Sequence, residues 1–232
     1  MKEKKLYMIA IVGAIICFIG DNLLGFFTPA ADFGNKLLCV NFSYDWSEVN
    51  PYRFAIAGMC GIVSLLMMLC GFYGIFLRMK RKHSAFAKPF LLSSILFVAV
   101  GTMYHNVFAI TAYIYNRLSN AGYGDAKSLS LEVFNVFILV GVLAAVGYGI
   151  MVLLLFIDSV KGRIYPFKWM GFINPFVFMM ISIALSKILP QNAFTNGVFS
   201  LGQQSVGLFI VFVVLCFTTE DLNGGKYDNT EY

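Results

Sequence analysis

The chain has 232 residues, of which 59% are hydrophobic and only 12% are charged. Soluble domains carry about 25% charged residues, so this composition excludes an ordinary water-facing surface. The net charge of +5 does not mark a nucleic-acid binder, because the basic residues gather beside apolar runs, where membrane topology accounts for them.

A helix needs about 20 apolar residues to cross the hydrocarbon core of a bilayer. Six runs meet that need, near 6–27, 54–77, 90–115, 133–157, 172–189 and 198–217. They are continuous, not alternating, and too long for the ~10-residue strands of a membrane barrel. The expected fold is therefore all-α: a bundle of six transmembrane helices over residues 1–219, followed by a polar tail at 220–232. The expected location is the cell membrane, with the lipid bilayer as the chain's first partner.

The first run follows Lys2, Lys4 and Lys5 and is closed by Pro29. A cleaved signal peptide is the competing reading, with Pro29-Ala30-Ala31 at the cleavage region. The run of roughly 22 residues exceeds the usual ~7–15-residue signal core, so a retained span is expected. Pro51 precedes the second run and Pro89 opens the third. Pro175 falls in the first turns of the fifth run, where a missing N–H is tolerated, and Pro190 closes it. Eleven Lys and Arg residues share one side of a six-span topology: the three at the N-terminus, Arg78, Lys80, Arg81, Lys82, Lys88, Lys161, Arg163 and Lys168. With Lys226 that side holds twelve of seventeen, which orients both termini to the cytoplasm.

The longest outer loop spans 28–53 and holds Asp32, Tyr44, Asp45, Trp46 and Glu48. A second, near 116–132, contains Asn120-Ala121-Gly122-Tyr123-Gly124-Asp125, a run of turn formers. The five cysteines show no CxxC spacing and no disulfide framework, so they read as small apolar filler. Gly141, Ala145 and Gly149 recur at four-residue spacing, as do Ala57 and Gly61. Such faces suit close helix packing inside the bundle and also allow a homo-oligomer contact.

The polar residues inside the runs carry the functional expectation. Leu6–Gly20 is only fifteen residues, or about 22 Å of helix, short of a core about 30 Å thick. Asp21 and Asn22 are therefore expected inside the outer half of the membrane. Fifteen residues from Phe90 to Tyr104 place His105 and Asn106 at a similar depth. Arg53, Glu132, Asn135 and Gln203 lie at the outer ends of other runs. A charged group at such depth needs a partner or a wet cavity. These eight residues form the expected ligand-binding set: Asp21, Asn22, Arg53, His105, Asn106, Glu132, Asn135 and Gln203. Snorkelling, a helix-dipole contact or helix cross-linking are the structural readings of Arg53, Glu132 and Gln203.

A carboxylate near an imidazole is the material of proton transfer. No HExxH, GxSxG, Walker sequence or GxGxxG is present. With His83 in a basic loop, only His105 remains in the membrane, so no metal or other cofactor is expected. Gly20-Asp21 in the first run, Tyr52-Arg53 entering the second and His105 in the third resemble an uncharacterised family of bacterial multi-pass membrane proteins. That resemblance implies a membrane location and no established activity. The chain does not resemble the alkaline ceramidase and progestin-receptor-like hydrolases, which use several His at metal-ligand spacing.

The leading functional expectation is binding or transport of a small polar or amphipathic, lipid-like ligand. The alternative is an intramembrane enzyme using Asp21, His105 and Glu132 on a lipid headgroup or isoprenoid. The sequence assigns no catalytic residue.

Overall fold

The computed structural model describes residues 2–25, 46–189 and 193–224, and every regular element among them is helical. The elements are α1 (Lys2–Gly25), α2 (Tyr52–Arg81), α3 (Ala87–Asn120), α4 (Ala126–Val136), α5 (Ile138–Val160), α6 (Pro175–Ile188), α7 (Ala193–Asn196) and α8 (Gln203–Gly224). A 3₁₀ turn at Lys168–Phe172 precedes α6, and a π-helical turn at Gly197–Leu201 joins α7 to α8. The loop residues 28–45 and the tail residues 225–232 lie outside the described residues.

Helix α1 shows why the bundle belongs in lipid. Its inward positions are small or polar-tipped: Tyr7, Ala10, Ala14 and Cys17 are buried. Its outward positions are larger aliphatics: Met8, Ile9, Val12, Ile15 and Ile19 are exposed. Water would disfavour that surface, whereas lipid solvates it. Four helices are long and apolar enough to cross a membrane: Glu3–Leu24, Tyr52–Arg81, Ala87–Asn120 and Ile138–Val160. Pro175–Leu185 and Gln203–Thr219 are shorter apolar helices.

Helices α1, α2, α3 and α5 pack in chain order, with α8 against the free side of α1. Glycines set the spacing. A Cβ at Gly13 would lie 2.8 Å from the Ser64 carbonyl oxygen, and one at Gly20 would lie 2.8 Å from Cys60 Cβ. Both helices pack too closely there for any side chain. Gly61 does the same for α3, since its Cβ would meet His105 Cβ at 2.6 Å. The expected small-residue face on α5 divides: Gly141 packs on the Tyr104 ring, while a Cβ at Gly149 would meet nothing within 4 Å.

The fourth run differs from its expected bounds. Residues 126–136 form a separate helix, and a single turn at Phe137 closes it, with the Phe137 N–H donating to the Phe134 carbonyl at 3.0 Å. Apolar α5 begins only at Ile138.

The fifth run differs too. Asn174 caps α6 by accepting from the Phe176 N–H at 2.9 Å, with Pro175 in the first turn. The Asn174 amide also donates to the Val152 carbonyl of α5 at 3.3 Å. Val152 lies eight residues, or about 12 Å, from the end of α5 at Val160. Thus α6 starts part-way along the bundle, which is why it is only 14 residues long. The chain before it is tied down by the Tyr165 hydroxyl donating to the Ile173 carbonyl at 3.1 Å. At the other end of the chain, α8 continues through Glu220 and Asp221 to Gly224, past the expected boundary at 219.

Two apolar cores result. The larger runs from Tyr7 and Met79 to Phe97, Tyr148 and Phe212. The smaller surrounds Trp46, Phe54, Phe108 and Phe134. Trp46 is fully buried there and donates from its indole N–H to the Leu24 carbonyl at 2.7 Å. Asn116 holds the following chain by donating to the carbonyls of Trp46 at 2.6 Å and Val49 at 2.8 Å. The candidate site lies between these two cores.

Candidate functional site

Asp21 on α1 and His105 on α3 face each other at one level of the bundle. His105 Nδ1 lies 3.9 Å from Asp21 Oδ1, with the side chains 20% and 16% exposed. That distance is too long for a hydrogen bond and leaves space between the groups. Gly61 makes the approach possible, because any side chain there would overlap the imidazole.

Two residues outside the expected set complete the group. Cys17 is four residues before Asp21, hence on the same helix face, and its thiol lies 3.8 Å from Asp21 Oδ2. Ser205 on α8 donates to the Gly202 carbonyl at 2.9 Å and has a longer contact to Asp21 Oδ2 at 3.4 Å. The π-helical turn just before α8, closed by the Gly202 N–H donating to the Gly197 carbonyl at 2.9 Å, sets the rotation at which Gln203 and Ser205 enter. Such turns often sit at functional sites.

The group borders a cavity of about 340 Å³, within the range of small-molecule sites. Its walls are mostly apolar: Leu24, Leu65, Met68, Phe97, Phe108 and Leu208 among them. Its polar lining includes Asp21, His105, Gln203, Gln204, Ser205 and Tyr148. The Tyr148 hydroxyl and Gln203 Oε1 are buried and have no hydrogen-bond partner among the described residues. Buried polar atoms are rarely left unmet in native proteins, so two of them on one cavity mark a place where a ligand or water completes the bonding. Helices α5 and α8 both line the cavity and make little contact with each other. Val142, Ala145 and Gln204 at that gap are exposed.

Of the eight residues expected from sequence, Asp21, His105 and Gln203 meet at this cavity. Asn22 turns away: its amide donates to the Phe18 carbonyl at 2.8 Å, and it lines a separate side groove with Arg53, Phe194 and Val198. Asn106 donates to the Thr102 carbonyl at 2.9 Å and packs over Gly58. Glu132 and Asn135 are exposed on α4 and are not part of the cavity wall. The break at Phe137 is the reason, since it detaches their helix from α5. The Cys17–Asp21 spacing of four was the sequence signal for the missed thiol. Nothing in the sequence singled out Tyr148.

The fold and the cavity define an apolar helical protein with membrane-capable helices and a buried polar site. Residues 1–221 match the model of the family of unknown function DUF6796, and the chain belongs to that family. No curated protein and no solved structure matches the chain.

Proposed function

We propose that this chain crosses the membrane six times, with both termini cytoplasmic, and binds or carries an amphipathic molecule that enters its cavity between α5 and α8. The count of six takes α8 and α6 as further crossings. Helix α8 has 22 residues, or about 33 Å of rise. Helix α6 supplies about 21 Å, and it starts level with Val152, about 12 Å along α5 from the end of that helix, a depth the preceding chain must span. Non-helical backbone is tolerated at membrane depth where protein buries it, and Ile164, Tyr165, Met170 and Gly171 are buried.

The observation that carries the ligand reading is the cavity itself: apolar walls, a gap between two helices, and Asp21, His105, Tyr148 and Gln203 on its lining. Apolar walls accept a chain, and polar groups fix a headgroup. Thermal stabilisation of the purified protein across short-chain lipids and small metabolites tests it. Wild type is expected to show a ligand-dependent rise in Tm that Asp21→Asn and His105→Ala abolish. A shift of equal size in both variants places the ligand elsewhere.

The Asp21–His105 pair beside the cavity also supports an intramembrane enzyme with these two as acid–base groups. Glu132 drops out of that scheme because it is exposed on α4. Lipid extracts made with and without the protein separate the readings. A product lost in Asp21→Asn favours the enzyme, and binding without any product favours the carrier.

A further inference from the structure

We infer that Cys17, Asp21 and His105 form a binding site for one divalent transition metal ion, zinc being the best match. One ligand atom from each residue can be chosen so that all three lie within 4.8 Å of one another. Zinc bonds of about 2.0–2.3 Å at tetrahedral angles place ligand atoms roughly 3.3–3.8 Å apart. The thiol lies 3.8 Å from one carboxylate oxygen of Asp21 and the imidazole 3.9 Å from the other, so the three groups would close by up to about 1 Å to share one ion. The imidazole–carboxylate separation exceeds a hydrogen-bond length, and the thiol–carboxylate contact is a long one.

Charge supports the same conclusion. With the thiol proton released on metal binding, a thiolate, a carboxylate and a neutral imidazole would carry a total of −2. A divalent cation cancels that charge where an unbalanced one is costly. The donor set selects the ion: sulfur and imidazole nitrogen favour zinc over magnesium or calcium, which prefer all-oxygen cages.

Three protein ligands leave a fourth position, as in catalytic zinc sites. Asp21 and His105 border the cavity, where Tyr148, a residue 6% exposed, and Gln203 present a hydroxyl and an Oε1 with no partner among the described residues. A metal-bound water or ligand headgroup would supply one. The inference rests on the proposed ligand cavity only for the occupant of this fourth position. Gly61 has a positioning role, because a side chain there would collide with the His105 ring carrying the ligand nitrogen.

The experiment uses the full chain in lipid nanodiscs, stripped of metal with a chelator and titrated with Co²⁺. One equivalent is expected to raise a near-ultraviolet thiolate-to-cobalt charge-transfer band, together with the visible bands of tetrahedral cobalt. Zn²⁺ is expected to displace it. Cys17→Ser should remove the charge-transfer band, while Cys60→Ser should keep it. His105→Gln should weaken binding at least about tenfold, since losing a mere outer-shell partner already costs that much. If Cys17→Ser does not fold, Asp21→Asn is titrated in its place, with the same loss of affinity expected. Absence of the band in wild type overturns the site, as does an unchanged band in Cys17→Ser. The lipid thermal shift is read on the same sample. A shift without the cobalt band removes the metal and leaves the ligand cavity, whereas the band without a shift does the reverse.

Discussion

Two buried polar clusters stand about 26 Å apart along α2, measured from Arg78 to Gly61, and they are built differently. At the first, Arg78 is 1% exposed and donates to the Ile164 carbonyl at 2.7 Å and the Thr219 hydroxyl at 2.8 Å. Glu3 sits 2.6 Å from Arg81 and 3.8 Å from Arg78, and the Tyr7 ring lies against the Arg78 guanidinium. At the second, the contacts of Asp21 are 3.4, 3.8 and 3.9 Å and a cavity adjoins them. Short bonds that join several elements mark charges that hold helix ends together. Long contacts beside a cavity mark groups arranged for something that enters. The first cluster ties α1, α2, α8 and the chain after α5 into one unit, so that the second can remain loosely bonded.

The contrast is broken most forcefully at Arg78. Arg78→Ala removes the donor to the Ile164 carbonyl and the Thr219 hydroxyl while Glu3 keeps Arg81, and hydrogen bonds to a charged group are worth about 1.5–3 kcal/mol each. Denaturant unfolding in detergent should show that loss, with the ligand response of the surviving folded fraction unchanged. A loss under about 1 kcal/mol would mean that the short bonds do not hold the helix ends. Gly61→Ala is expected next. Its methyl overlaps His105, so about 1–3 kcal/mol should be lost and the ligand response should fall with it. Gly149→Ala on α5 is the control. It has open space around it, and replacing a helical glycine should be neutral or gain up to about 1 kcal/mol.

The sequence disclosed the two clusters unequally. Four of the six apolar runs yield helices long and apolar enough to cross a membrane and the other two yield shorter apolar helices, because an apolar backbone away from water must bond within itself. The closeness of Asp21 and His105 was approachable from helix length alone. Rotation was not, because an apolar helix with no polar face does not say which side turns inward. Cys17 therefore read as filler, and Arg78 as one more positive charge on the cytoplasmic side. Trp46 read as part of a loop, although it plugs the smaller core. The separation of α4 from α5 has no Pro or Gly to announce it, which is why the sequence places Glu132 and Asn135 with Asp21 although they do not line its cavity.

Asp21→Asn sharpens the comparison from the other side. Asparagine keeps an acceptor for the Cys17 and Ser205 contacts, so stability should stay within about 1 kcal/mol of wild type. Any change is expected to be a gain, since residues held for function are seldom the most stabilising choice. The ligand-dependent rise in Tm should vanish. A loss of stability as large as that of Arg78→Ala would put both clusters in the same structural role and remove the contrast.

The smallest expected effect belongs to Glu132→Gln. Glu132 lies exposed on α4, and surface changes of this kind usually stay within about 0.5 kcal/mol. Stability and ligand response should both match wild type. The measurement is still decisive, because α4 is joined to α5 by the single turn at Phe137, while Phe134 anchors it in the Trp46 core. If Glu132→Gln abolished the ligand shift, the carboxylate would have to reach the cavity, and α4 would have to swing about Phe137 to bring it there. The loosely bonded cluster would then be one that closes over its ligand.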